Sequence, residues 1–359
     1  MQRILCINPG STSTKIAIFD DDKEIASRSI DHTPEDLKRY GLPHQQYEWR
    51  RGLVYDFLNE CGVDRHTLTC IMFRCGMLPP VPSGAWRLNE DMLRCAVSPH
   101  TIDHPNNLAC RIAKELVDEL HIPAFTIDAG TVDELLPELH YTGIPYIRRT
   151  SLGHELNPRY IARKTAREIL HKPYSESTII VAHLGGGASV SLHHNGRCIQ
   201  KLADETCMSP ERAGRIPPKA LIKTCYSGRF TEREMQREIQ GHAGLNAYYG
   251  DPDARAMEKR IADGDEEALL IYKAMADSIS GSIAECAALV QGKVDRIVFT
   301  AGMAHSKMYT DLIRANCEWI APVELMPGEF EMQALADGGV RIMNGEEPVQ
   351  DFHWEEPND

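Results

Sequence analysis

Two short polar turns carry the densest chemistry in the sequence. Asn8-Pro-Gly-Ser-Thr-Ser-Thr-Lys15 offers an amide, a run of hydroxyls and one ammonium, and His183-Leu-Gly-Gly-Gly187 offers an imidazole and three bare backbone N–H groups. Hydroxyls, glycine N–H groups and a lysine suit a phosphate chain held by hydrogen bonds more than by bulk charge. Either turn alone reads as a tight connection between strands. Their spacing favours a joint role, because Asn8 to His183 and Gly10 to Gly185 are both 175 residues apart, nearly half of the chain.

Arginines in apolar settings come next. Arg74 follows Ile71-Met-Phe73 and precedes Cys75-Gly76, while Arg212 sits in Ser209-Pro-Glu-Arg-Ala-Gly214, a stretch without helical period. A planar guanidinium can grip carboxylate or phosphoryl oxygens bidentately, or close a structural salt bridge. His104 and His154 each precede a helix start, and His183 ends a strand. Imidazoles near helix N-termini can donate to an anion already favoured there. Asp128 ends Phe125-Thr-Ile-Asp and opens into Ala129-Gly130. At a strand's carboxyl end it can orient a substrate, receive a proton or cap the next helix. His193-His194 precede Asn195-Gly196, a hairpin signal, and are expected to face solvent.

The elements that must hold these residues are strands and helices in alternation. Arg3–Asn8 and Lys15–Phe19 read as one hairpin, and Thr178–His183 with Ala188–Leu192 as a second. One unit repeated at half-length predicts a duplicated α/β domain with two similar sheets facing a cleft. Arg296–Thr300, followed by Ala-Gly-Met-Ala-His305, reads as a third strand and small-residue turn leading into a helix. Asn106 or Asn107 is placed to cap a helix with Leu108, Ile112, Leu116 and Leu120 on one face. Asn157-Pro158 reads as an N-cap followed by Pro, Thr231 with Glu234 as a capping box, and Asp265–Gln291 as a long helix ended by Gly292. Residues 346–359 are acidic, hold two Pro and read as a solvated tail.

Composition narrows the setting. With 39 Lys and Arg against 52 Asp and Glu, a net charge of −13 gives no general attraction to nucleic acid or anionic lipid. Bound phosphate must therefore be met by a few placed cations. No apolar run approaches the ~20 residues of a membrane span, and Ile4–Ile7 is far shorter than the apolar core of a signal peptide. The 11 cysteines lie singly, none at Cys-x-x-Cys spacing, as in a reduced cytoplasmic protein without structural zinc.

The quoted stretches around Asn8–Lys15, His183–Ser189 and Ser209–Gly214, with Thr300-Ala-Gly-Met-Ala304 and Pro327-Gly-Glu-Phe-Glu-Met332, resemble the acetate and butyrate kinases. That resemblance runs over nearly the whole chain in matching order, and the chain's length suits the shorter butyrate kinase branch. It implies two ribonuclease-H-like domains of the sugar kinase, Hsp70 and actin superfamily closing on ATP: 1–150, with a helix near 331–345 packing back, and 151–330. It implies ATP or ADP and Mg²⁺ as cofactors, a short-chain acid or acyl phosphate as partner, a homo-oligomer, and no nucleic-acid or membrane partner. By position, Asn8 and Glu331 (or Glu329) resemble the metal-side residues, and Ser11, Ser13 and Lys15 the first phosphate loop. Arg74 matches the acyl-binding arginine, Arg212 the phosphoryl-stabilising arginine, Asp128 the orienting carboxylate, and His154 the phosphoryl-contacting histidine. His104 is similar to a further phosphate-side residue. His183, Gly185, Gly186 and Gly187 form the second phosphate loop, and Asp253, Arg255, Gly302, Met303, Ala304, His305 and Ser306 resemble nucleoside contacts. The sequence departs from the family pattern at Ala203–Met208 beside Arg212, at Cys75-Gly76, at Leu152-Gly153, at Pro105 and at His305. A short-chain carboxylate kinase is the implied activity, with butyrate, a branched relative, acetate or propionate as the acid. A non-catalytic ATP-binding module on the same scaffold is the alternative. The Arg-rich site disfavours a sugar kinase, which needs a carboxylate base for its hydroxyl nucleophile.

Overall fold

The computed structural model describes residues 1–75 and 77–357, so Gly76 and the last two residues of the acidic tail lie outside the described residues. The chain divides into two units, 1–133 with 330–359, and 134–329.

The first unit holds β1 (Arg3–Pro9), β2 (Ser13–Asp20), β3 (Lys23–Asp31), β4 (Cys70–Phe73), β5 (Ala85–Arg87) and β6 (Ala124–Ile127). The second holds β7 (Thr178–Leu184), β8 (Ala188–His194), β9 (Arg197–Leu202), β10 (Arg296–Ala301) and β11 (Val323–Pro327), and β12 (Val349–Asp351) belongs to the first. The first sheet runs β12-β5-β6-β4-β1-β2-β3 and the second β11-β10-β7-β8-β9. In the first unit β1, β2 and β3 pair antiparallel, while β4 and β6 extend the sheet parallel to β1. The second unit repeats this with β7, β8 and β9 antiparallel and β10 and β11 parallel to β7. The duplicated α/β architecture read from the two hairpins is thus present over five strands of each sheet, β5 and β12 being additions to the first. The segment at Arg296 is the expected strand and turn leading into a helix, Lys307–Cys317. It is the second unit's counterpart of β4, so Gly302 and Arg74 follow equivalent strands.

Each central strand is apolar on both sides because helices cover both faces of its sheet. Leu5, Ile7, Ile16 and Ile18 join the apolar cluster of Val54, Leu108 and Ile112 from the helices Tyr47–Glu60 and Asn107–Leu120. On the opposite face the helix Glu331–Met343 lies close enough that a Cβ on Gly339 would stand 2.9 Å from Met72 and 3.0 Å from Ile4. That close approach seats Glu331, at the helix start, over the end of β1. In the second unit Ile180, Ala182 and Leu184 pack with Tyr272, Met275, Ile279 and Ile283 of the helix Glu266–Leu289.

Several local expectations change. The first boundary falls at 133/134, not at 150, because Glu134 accepts from the Cys198 N–H at 2.8 Å and pairs with Arg159 in the second unit. The expected solvated tail begins later than 346: β12 pairs with β5 and Phe352 is buried against Trp86, while Glu355–Pro357 are exposed. His193 is fully buried between Tyr174 Oη (2.9 Å) and Ser191 Oγ (2.9 Å), and His194 accompanies Thr178, so neither is a simple solvent-facing residue. Asn195 and Gly196 do form the tight turn, with φ of 50° and 83°. The Thr231–Glu234 capping box is present, and Asp265 caps the long helix through Ala268 N. Asn106 precedes the helix Asn107–Leu120 without a side-chain cap bond. Among the described residues no helix is long and apolar enough to cross a membrane. The 11 cysteines are free thiols, all but Cys61 and Cys225 buried.

Candidate functional site

In the first unit the candidate residues gather at the carboxyl ends of β1, β4 and β6. Asn8, 3% exposed, donates through Nδ2 to Glu331 Oε2 at 2.7 Å. Arg74 Nη1 meets the two oxygens of the same carboxylate at 2.8 and 2.9 Å. The Asn106 amide is satisfied with its oxygen accepting from Arg74 Nε at 3.3 Å and its nitrogen donating to the Pro9 carbonyl at 2.5 Å. Arg74 is therefore held along one edge, and its Nη2 makes no hydrogen bond among the described residues. Asp128 follows β6 with φ 47°, and its carboxylate accepts from Gly84 N at 3.1 Å. A left-handed non-glycine conformation costs of order 1 kcal/mol, and here paired backbone contacts with Gly84 sustain it.

Ser11, at the exposed tip of the first turn, lies 3.4 Å from His104 Nε2, whose Nδ1 accepts from Asn106 N at 3.2 Å. Burial, with the charges of Arg74 and Arg50 nearby, brings His104 down to about 4, so its ring is neutral at pH 7. With Nδ1 accepting, Nε2 carries the proton and points a donor toward the turn. Lys15 sits opposite Asn8 in the β1–β2 ladder.

Asn8 Oδ1 is buried and has no hydrogen-bond partner among the described residues. An orphaned amide oxygen beside a carboxylate is a donor set for a hard divalent cation such as Mg²⁺, which binds few protein oxygens and keeps waters or substrate oxygens. Among the described residues no group of three or more His, Cys, Asp or Glu could hold a metal. The residues present fit a hard divalent cation that takes most of its ligands from outside the protein.

In the second unit His154 and His183 stack, with centroids 3.9 Å apart and planes 11° from parallel. His154 Nδ1 contacts Ser189 Oγ at 3.0 Å. Asn157 Nδ2 donates to His183 Nδ1 at 3.0 Å, which leaves the His183 proton on Nε2. That nitrogen lies 3.6 Å from where a Cβ on Gly185 would stand, so it faces the glycine turn. Asn157 is accordingly no cap; it lies inside the helix Leu156–Glu168 and fixes a histidine tautomer. The Gly186 carbonyl accepts from Ser209 Oγ at 2.7 Å and Glu211 N at 3.0 Å, tying the glycine turn to the Arg212 loop. Arg212 Nε pairs with Asp204 at 3.1 Å and Nη1 donates to the Glu211 carbonyl at 3.2 Å. Nη2 is left 3.6 Å from the position of a Cβ on Gly187.

The nucleoside candidates are a looser set. Asp253 caps the helix Ala254–Ala262 and pairs at the surface with Arg255, whose side chain is 90% exposed. Gly302 and His305 are exposed, whereas the Met303 and Ala304 side chains enter the apolar cluster and can offer only backbone. Ser306 caps the following helix through Tyr309 N.

Four participants escaped the sequence reading: Arg50, Asn106, Asn157 and Asp204. For Arg50 a signal existed, because it shares the helical spacing of Tyr47, Val54 and Phe57 on the buried face. The other three act through partners far along the chain or within irregular loops, which local pattern does not reveal.

Two sheets with one strand order, each covered by helices on both faces, define the duplicated ribonuclease-H-like fold of the actin-like ATPases. Solved structures agree. Porphyromonas gingivalis acetate kinase superposes with a TM-score of 0.78 at 17% identity over 95% of this chain and 100% of that one. A propionate kinase from Francisella tularensis subsp. tularensis SCHU S4 gives 0.75 at 18% identity over 94% and 99%. Entamoeba histolytica acetate kinase gives 0.76 at 16% identity over 94% and 98%. By sequence, residues 140–317 match the model of the acetokinase family.

Proposed function

We propose that the protein is a cytoplasmic, ATP- and Mg²⁺-dependent short-chain carboxylate kinase whose preferred acid is butyrate, forming butyryl phosphate and ADP reversibly. The observation that carries this reading is the Arg74 guanidinium, fixed by Glu331 and Asn106 along one edge and open at Nη2. It lies beside the orphaned Asn8 oxygen. An acid carboxylate accepts from Arg74, and Asp128 orients it. A carboxylate oxygen attacks the γ-phosphorus, the bond to the β-bridging oxygen breaks, and ADP leaves with that electron pair. The acid is already ionised at neutral pH, with an ordinary pKa near ~4, so no base is needed. Catalysis is then positioning and charge neutralisation.

Asn8 Oδ1 and Glu331 would hold Mg²⁺, which when bound would neutralise charge on the phosphate oxygens. Ser11, Ser13, Lys15 and His104 donate to phosphate. The resemblance assigns His154, His183, Gly185–Gly187 and Arg212 to phosphoryl oxygens, and Asp253, Arg255, Gly302 and His305, with the Met303 and Ala304 backbone, to the nucleoside. Butyrate is favoured over acetate because Met77, Leu78 and Val81 follow Arg74 closely, the last two in the apolar core. Two extra methylenes at ~0.8 kcal/mol each correspond to roughly tenfold in kcat/KM.

Hydroxylamine trapping of acyl phosphate over acetate, butyrate, isobutyrate and valerate tests the reading. Butyrate should exceed acetate by about tenfold, and Arg74→Ala should abolish the signal. Acetate as best substrate overturns the acid preference. No hydroxamate from any acid, with ATP bound, assigns a non-catalytic module.

A further inference from the structure

Behind the first turn lies a charge that the proposed chemistry does not use. Arg50, in the helix Tyr47–Glu60, has 0% exposure. Its Nε donates to Gln46 Oε1 at 2.9 Å, and Nη1 donates to Thr14 Oγ1 at 2.9 Å and the Ser13 carbonyl at 3.3 Å. Nη2 is buried with no partner, and among the described residues no carboxylate forms an ion pair with Arg50. Burying an unpaired charge is costly, and a neutral side chain of similar size would remove that cost. The clamp on Ser13 and Thr14 alone does not account for a full positive charge, since uncharged donors satisfy a carbonyl and a hydroxyl equally well.

The neighbours compensate only in part: the Trp49 ring lies 5.4 Å from the guanidinium carbon, a cation–π contact that supplies no counter-charge. Because Arg50 can only donate, Thr14 gives its own proton to His32 Nε2, 2.9 Å away, which keeps His32 neutral. Burial and the Arg50 charge both hold His32 down at about 4. The same charge reaches His104 across the turn. Among the described residues no carboxylate pairs with Arg50, and the adjoining group equipped to receive an anion is the turn that Arg50 clamps.

We propose that Arg50 is a positioning residue of the first turn: it fixes the Ser13–Thr14 backbone from behind and supplies a buried, uncompensated charge that only a polyphosphate bound at Ser11–Lys15 neutralises. This rests on the turn being the phosphate loop proposed above. It accounts for a destabilising residue being built into the core, since the energy withheld from folding is returned on binding.

The test is calorimetric titration of the full chain with MgATP and with inorganic pyrophosphate, for wild type, Arg50→Met and Arg50→Lys, beside ligand-free melts. Arg50→Met should bind both ligands at least about tenfold more weakly, with its ligand-free Tm unchanged or raised. Its KM for ATP should rise while the KM for the acid stays put. Arg50→Lys keeps the charge but loses the fork, and should fall between the two. A residue that merely supports the fold would instead lower Tm and leave the affinity of the folded fraction intact. Affinity within twofold of wild type in folded Arg50→Met overturns the inference. If that variant does not fold, wild-type affinity in Arg50→Lys overturns it. Failure of wild type to bind MgATP is a different result, which removes the phosphate-loop reading and this inference with it.

Discussion

Glu331→Gln removes one charge without changing shape, at the residue where the first unit's site converges. The native carboxylate accepts from Asn8 Nδ2 at 2.7 Å and from Arg74 Nη1 at 2.8 and 2.9 Å. Hydrogen bonds to charged groups contribute about 1.5–3 kcal/mol each, but their sum overstates the loss. The Gln oxygen keeps one acceptor, and the Arg74 side chain, 25% exposed, can turn toward water. Loss of a carboxylate from the first helical turn adds roughly 0.5 kcal/mol. The expected destabilisation is about 2 kcal/mol, below the ~3–5 kcal/mol of breaking a fully buried pair. Urea unfolding followed by tryptophan fluorescence reads it, because Trp49, Trp86 and Trp354 all lie in the first unit. The half-saturating Mg²⁺ concentration for turnover should rise about tenfold or more as a cation ligand is lost. An unchanged unfolding midpoint together with an unchanged Mg²⁺ dependence would refute both the cluster's energetics and its role.

Arg212→Lys keeps charge but loses the fork that Asp204 and the Glu211 carbonyl orient, so kcat should fall about 10²-fold with KM for both substrates little changed. Near-wild-type turnover would make Arg212 structural. Burial holds His32 and His104 at about 4 and His193 at about 3, all below the ordinary 6.5. The unfolded chain therefore binds more protons between pH 6.5 and 4, so stability is full above pH 6.5 and falls by a few kcal/mol toward pH 4. A melting temperature that is flat from pH 7 to 4.5 would contradict this. Lys201→Met strips Glu155 of a partner 2.7 Å away at a site where both side chains are 1% exposed or less. Arg159 remains, and denaturant unfolding should show a loss of about 3 kcal/mol; a stabilised variant would mean that the network is held for specificity alone.

What was legible in the sequence was what local chemistry dictates. Glycine and hydroxyl turns between apolar strands at a constant spacing announced two copies of one hairpin, and the strand orders repeat accordingly. Thr231 with Glu234 and Asp265 announced helix starts, because capping is a contact within three residues. The losses came where a distant partner decides. His193 looked like a turn residue until Tyr174 and Ser191 enclosed its ring, and Asn157 looked like a cap until His183 took its amide. An acidic segment with prolines looked solvated, yet Phe352 and the β12 backbone find partners in β5 and Trp86. Arg50 was visible only as an arginine at a core position of a helix, and its meaning depends on the turn it touches.

Whether the acid's own oxygen attacks phosphorus is the claim on which the account stands. Butyrate labelled with ¹⁸O in both carboxylate positions, incubated with ATP and Mg²⁺ and trapped with hydroxylamine, answers it by ³¹P NMR of the released phosphate. Hydroxylamine attacks the acyl carbon, so the bridging oxygen leaves with phosphorus. The account predicts phosphate carrying one ¹⁸O, formed in step with hydroxamate and ADP. Phosphate without ¹⁸O, released as ATP is consumed, would mean water is the nucleophile and would contradict it.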